Sequence, residues 1–107
     1  MKIDLSGHHV EITDGIREAV DNKFLKISTH YPDIESLSII LNVERNEQTV
    51  DAKTQFLGAT VNVKASNHDL YAAIAESVKK MDAALKSRRG SVKSGLHEKP
   101  DFTEDSP

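Results

Sequence analysis

Hydrophobic residues change their spacing twice along this chain, and few folds can accommodate the result. Ile16, Val20, Phe24, Ile27 and Tyr31 recur at steps of four, four, three and four residues, and Leu70, Ile74, Val78, Met81 and Leu85 repeat the same series. Each set forms one apolar stripe along a helix, so both helices need an apolar surface to lie on. Between them the period falls to two. Leu37, Ile39, Leu41 and Val43 alternate with Ser38, Ile40, Asn42 and Glu44, and the run ERNEQ then marks a turn. Val50, Ala52, Thr54 and Phe56 continue the alternation, Leu57-Gly58-Ala59 makes a tight connection, and Val61, Val63 and Ala65 follow. Period two is the signature of strands with one buried face, and links this short favour an antiparallel meander. Residues 2–7 alternate Ile3 and Leu5 with polar neighbours and end on Gly7, which adds a first strand and a turn. The order β-α-β-β-β-α therefore predicts an α+β domain, a two-layer sandwich in which a four-stranded sheet carries two helices on one face and leaves the other wet.

Local signals place the boundaries. Thr13 suits the N-cap of the first helix, Asp14 suits its first turn, and Pro32 stops it. Asn67 or Ser66 is the expected cap of the second helix. After Gly90 the sequence SVKSGLHEKPDFTEDSP loses its period and turns acidic, so a domain over residues 1–90 and a flexible acidic tail over 91–107 are expected. Phe102 among the acids of that tail could at most form a short docking element.

Composition narrows the function. The 107 residues include no cysteine and no tryptophan, which excludes a disulfide scaffold and a structural Cys-zinc site. No apolar run approaches membrane-spanning length, and the start MKIDLSGHHVEI alternates where a signal peptide would be continuously apolar, so a cytoplasmic protein with no membrane role is expected. The net charge of −3 would argue against nucleic-acid binding if it were spread evenly. It is not: residues 1–95 hold 13 basic and 13 acidic side chains, whereas 96–107 hold Lys99 against Glu98, Asp101, Glu104 and Asp105.

Within the balanced part, residues 79–93 hold six basic groups and a single acid, Asp82. Cations near a helix C-terminus favour the macrodipole, but a few tenths of a kcal/mol do not call for so many. Lys79, Lys80 and Lys86 flank the apolar stripe of the second helix, and Arg88 and Arg89 follow. Arg17, Lys23 and Lys26 lie off the stripe of the first helix, diluted by Glu18 and Asp21. If the helices pack side by side, these eight residues join in one cationic field, suited to phosphates and to the shape of folded RNA. Lysines kept on a helix for solubility are the bland alternative.

Catalytic readings find little support. His8-His9 invites a metal, but neighbours in an extended segment point to opposite faces. A small hydrolase using His8, His9 and His68 is the enzyme reading, and metal content would test it. His68-Asp69 needs no catalytic explanation at a helix start, where Asp69 suits the dipole. The chain has no Gly-rich phosphate loop and no Gly-x-Ser-x-Gly elbow, so no enzyme activity and no cofactor are expected. Tyr71, one position outside the second stripe, either closes the core edge or meets a partner.

The opening KIDLSGHHVEITDGIREAVDNKFLKI, the central alternation and DLYAAIAESVKKMDAAL together resemble the hibernation-promoting factor and ribosome-associated inhibitor (protein Y) family of bacteria. The resemblance runs from Met1 to about Arg89 and is most specific at Asp69-Leu70-Tyr71-Ala72-Ala73-Ile74 with Lys80 and Leu85. It implies a fold like that of double-stranded-RNA-binding domains, seated on the small ribosomal subunit between head and body. There it would overlap the mRNA path and the A- and P-site tRNA positions, silencing idle ribosomes in stationary phase or stress. Arg17, Lys23, Lys26, Lys80 and Lys86 fall where the family tends to be basic, and Arg89 in the basic end of the second helix. Ala83-Ala84 stand where relatives often carry Arg-Gln, and Lys79 where an acidic or neutral residue is common, so the ridge is expected to be displaced. The resemblance further implies a short form, a monomer off the ribosome, acting with or against a ribosome modulation factor in ribosome pairing. A generic structured-RNA-binding domain and an interaction module working through the acidic tail are the other binding readings.

Overall fold

Each stretch of hydrophobic periodicity folds into the element that its spacing predicts. The computed structural model describes residues 1–97. The elements run β1 (Lys2–His8), α1 (Asp14–His30), β2 (Ser36–Glu44), β3 (Glu47–Phe56), β4 (Ala59–Asn67) and α2 (Leu70–His97). The four strands form one sheet in the order β1-β2-β3-β4, with β1 parallel to β2 and the other pairs antiparallel. The parallel pair is the consequence of routing α1 between β1 and β2, since a parallel return requires a crossover.

Register places the inward residues in rows. Ile3, Leu37, Thr54 and Val61 lie across the sheet from one another, as do Leu5, Ile39, Ala52 and Val63. These rows meet Val20, Phe24 and Ile27 of α1 and Ile74, Met81 and Leu85 of α2 in a single core. The two polar residues in it are satisfied locally: the Thr54 hydroxyl donates to the Ser36 carbonyl at 2.6 Å, and the Ser77 hydroxyl to the Ile74 carbonyl at 2.7 Å. The opposite face of the sheet carries Ser38, Lys53 and Asn62 in one row and Ile40, Asp51 and Lys64 in the next. No helix covers it.

Both helices lie on the inner face and run in the same direction. The Tyr71 hydroxyl lies beside Gly15 near both N-termini, Lys26 reaches Asp82 further along, and Arg89 reaches His30 near the end of α1. Thr13 caps α1 as predicted, its hydroxyl accepting from the Ile16 amide at 3.2 Å. The helix closes at Tyr31, whose amide donates to the Ile27 carbonyl at 2.9 Å just ahead of Pro32.

Boundaries differ from the sequence expectation in three places. The cap of α2 is Asp69, whose carboxylate accepts from the Tyr71 amide at 3.0 Å, and neither Asn67 nor Ser66 fills that place. Both still belong to β4; Asn67 instead accepts from the Asp69 amide and donates to Glu76, tying the strand end to the helix. β1 passes through Gly7 to His8, and the turn falls at His9, whose φ is +60°. Gly7 is required there for space, because a Cβ on it would sit 2.6 Å from the Val10 carbonyl oxygen. Finally, α2 continues past Gly90 to His97, so the boundary expected at 90 falls inside a helix. An exposed glycine costs a helix about 1 kcal/mol without breaking it, and the next proline is Pro100. Residues 98–107, with Phe102 and the acids of the expected tail, lie outside the described residues.

Candidate nucleic-acid interface

The parallel packing of α1 and α2 decides which cations can act together. Lys79 and Lys86 are exposed and two helical turns apart, so they share the outer face of α2. Lys80 points to the flank by β4, where its ammonium donates to the Lys64 carbonyl at 2.8 Å and leaves the charge uncompensated. Lys26 and His30 of α1 turn toward α2 and meet Asp82, at 3.8 and 3.7 Å. Lys23 is exposed on α1. Asp82 lies three residues after Lys79 and four before Lys86, so one carboxylate sits in the middle of the lysines.

Arg17 is not part of this group. It borders a groove with Met1 and Ile3 of the β1 edge and Asp21, Leu25 and Ser28 of α1, on the flank away from Lys26. Arg17 and Lys26 are nine residues apart, about two and a half helical turns, so they stand on opposite sides of α1, and Asp21 stands beside Arg17.

The two arginines are positioned by backbone oxygens. Arg89 donates from Nη2 to the His30 carbonyl at 3.2 Å and lies over the Tyr31 ring, 4.6 Å from its centre. That ring packs edge-on against Phe56 at 5.5 Å, and the Tyr31 hydroxyl donates to the Asp82 carbonyl at 3.2 Å. Burial raises the Tyr31 phenol pKa, a hydrogen bond and the charge of Asp82 add to the rise, and the Arg89 charge opposes it. Arg88 is half-buried and donates from Nη2 to the Leu57 carbonyl at the β3–β4 turn. Neither contact neutralises a guanidinium, but Arg88 is less free than its neighbours to turn outward.

Lysines 23, 26, 79, 80 and 86 with Arg89 therefore lie on or beside one helical layer, interrupted by Asp82 and without Arg17. His30 joins the layer unforeseen, beside Asp82, whereas the Lys64 side chain stands on the uncovered face of the sheet and only its carbonyl meets Lys80. His30 shares its helix with Lys23 and Lys26 and was legible as a basic residue of the last turn. Among the described residues no three metal-ligating side chains converge, and His68 is engaged by its Nδ1 with the Asn46 carbonyl at 3.1 Å.

Residues 3–93 match the family described as Sigma 54 modulation protein / S30EA ribosomal protein. The chain belongs to this family. It is 35% identical over 89 residues to the ribosome hibernation promoting factor of Pseudomonas putida, covering 83% of this chain and 87% of that one. Against the ribosome hibernation promoting factor of Escherichia coli K12 it is 31% identical over 93 residues, 87% of this chain and 98% of the relative. Among solved structures, a ribosomal subunit interface protein from Coxiella burnetii superposes with a TM-score of 0.79 at 26% identity, over 84% of this chain and 99% of that one. The N-terminal domain of Thermus thermophilus Protein Y gives 0.75 at 31% identity, over 83% and 100%. The family and the β-α-β-β-β-α fold are as the sequence led us to expect.

Proposed function

We propose that this protein is a ribosome hibernation factor that inhibits translation by binding the small ribosomal subunit in the decoding channel. The observation that carries the reading is the cationic helical layer, in which lysines from α1 and α2 stand side by side within one family whose members are named for ribosome hibernation. A layer of this kind grips phosphates and A-form shape without reading bases. In the channel it would exclude mRNA and the A- and P-site tRNAs, act in stationary phase or stress, and alter ribosome pairing with or against a modulation factor. No catalysis is involved.

Cosedimentation from a stationary-phase lysate tests the proposal. The protein is expected in the small-subunit and whole-ribosome fractions and should be released by high salt, because phosphate contacts are lost as counterions compete. Reversing Lys80 and Lys86 to glutamate should move it to the top of the gradient while leaving its melting temperature nearly unchanged, since exposed lysines add little to folding. Migration with other structured RNA, and not with ribosomes, would instead support the generic RNA-binding reading.

A further inference from the structure

The β3–β4 turn combines three features that folding alone does not require. Leu57 and Gly58 both have positive φ, +51° and +79°, the type I′ geometry that joins a two-residue hairpin without splaying its strands. Glycine enters that region freely, and asparagine does so with local help, but a leucine is opposed by its own Cβ. The leucine is not drawn into this conformation by burial, because 43% of it is exposed. The third feature is Arg88, which reaches from α2 to hold the Leu57 carbonyl while its own Nε is buried without a hydrogen-bond partner among the described residues. A partly desolvated guanidinium thus fixes a turn whose central residue is both strained and wet.

The surroundings make the turn rigid. Phe56, the preceding residue, is buried and packs against the Tyr31 ring. Arg89 covers that ring and is held by the His30 carbonyl, so an exposed guanidinium stands at the same end of the molecule as the leucine. On a backbone held in this way a leucine has only its side-chain rotamers to lose when it is covered, which suits a contact element. Strain retained at an exposed position is the pattern expected where a partner, and not the core, selects the residue.

We propose that Leu57 is a binding residue, its side chain pressed against the face of an unstacked nucleotide of ribosomal RNA while Arg88 holds the turn. The inference rests on the ribosome-binding reading above. Apolar side chains that wedge against bases need no hydrogen bond and read no sequence, and folded RNA presents splayed bases in its loops and bulges. An apolar pocket on a protein would also accept a leucine, but the neighbouring guanidinium groups favour a polyanion.

Leu57→Asn separates binding from folding, because Asn-Gly is the favoured pair for a type I′ turn and should keep or raise the melting temperature. Binding of both proteins to purified small subunits is measured between about 50 and about 300 mM salt. The variant is expected to bind about fivefold more weakly at every concentration, with the slope of log K against log salt unchanged, since apolar area and not a phosphate contact is lost. A photoreactive side chain at position 57 is expected to crosslink to ribosomal RNA. Affinity within about twofold of the parent, or crosslinks confined to ribosomal proteins, overturns the proposal and leaves subunit binding by the cationic layer intact. Failure of the parent protein itself to bind subunits overturns both.

Discussion

Replacing Asp82 by asparagine should tighten RNA binding at a cost in stability of at most about 1 kcal/mol. Asp82 lies 3.8 Å from Lys26 and 3.7 Å from His30, and it is the single acid among the basic residues of α2. A unit ion pair at that separation is worth about 1 kcal/mol in water and about 4 at an effective dielectric of about 20. Solvent reaches both partners, with side-chain exposures of 49% for Lys26 and 27% for Asp82, so the lower range of about 0.2–1 kcal/mol for surface pairs applies. At about 4–8 °C per kcal/mol for a small domain, the melting temperature should fall by less than about 8 °C. The binding term has the opposite sign. A carboxylate about 7 Å from a phosphate repels it by about 0.25 kcal/mol after screening. About three such phosphates make a factor of about three in affinity. Freeing Lys26 for a phosphate of its own should steepen the salt dependence by about one unit of slope. Titration of purified small subunits across a salt series, beside a thermal melt, measures both quantities. An affinity equal to or below that of the parent, in a variant that still folds, would refute the idea that the layer acts through net positive charge.

Two further outcomes follow from the core and its edge. Ile74→Ala removes a fully buried side chain from the centre of the helix-sheet contact and should lower unfolding free energy by about 2–5 kcal/mol, read from urea denaturation. Tyr31 predicts a loss of stability in alkali, because burial and Asp82 raise its phenol pKa in the folded protein. Below about pH 10 both folded and unfolded chains carry the proton and this group adds nothing. Above that, the unfolded chain loses its proton first, so stability falls as pH rises through the folded pKa. The fall should be smaller in Tyr31→Phe, and identical pH profiles for the two proteins would contradict the proposed burial effect.

The fold was legible because the residues that set the helical and strand periods are the same ones that form the core. Ile16 to Tyr31 and Leu70 to Leu85 could only be helices resting on something apolar, and the alternating runs between them supplied a sheet with one such face. Boundaries were less legible. Ser66, Asn67 and Asp69 are all good capping residues, and only the length of β4 decides that Asp69 takes the role. Gly90 looked like a stop, yet a single glycine is a modest penalty inside a long helix that has already nucleated.

What the chain's own order of residues determined was the element sequence, the core stripes and the stock of cations on each helix, because hydrophobic period and charge are properties of neighbours a few positions apart. Which cations stand together was decided only by tertiary packing. Lys26 and Asp82, or Arg88 and Leu57, are brought into contact by two helices laid in parallel over one sheet, and no local pattern encodes that meeting. The same packing sets Arg17 on the far flank, since rotating α1 to bury Val20 and Phe24 leaves one side of it facing α2 and the other facing the β1 edge.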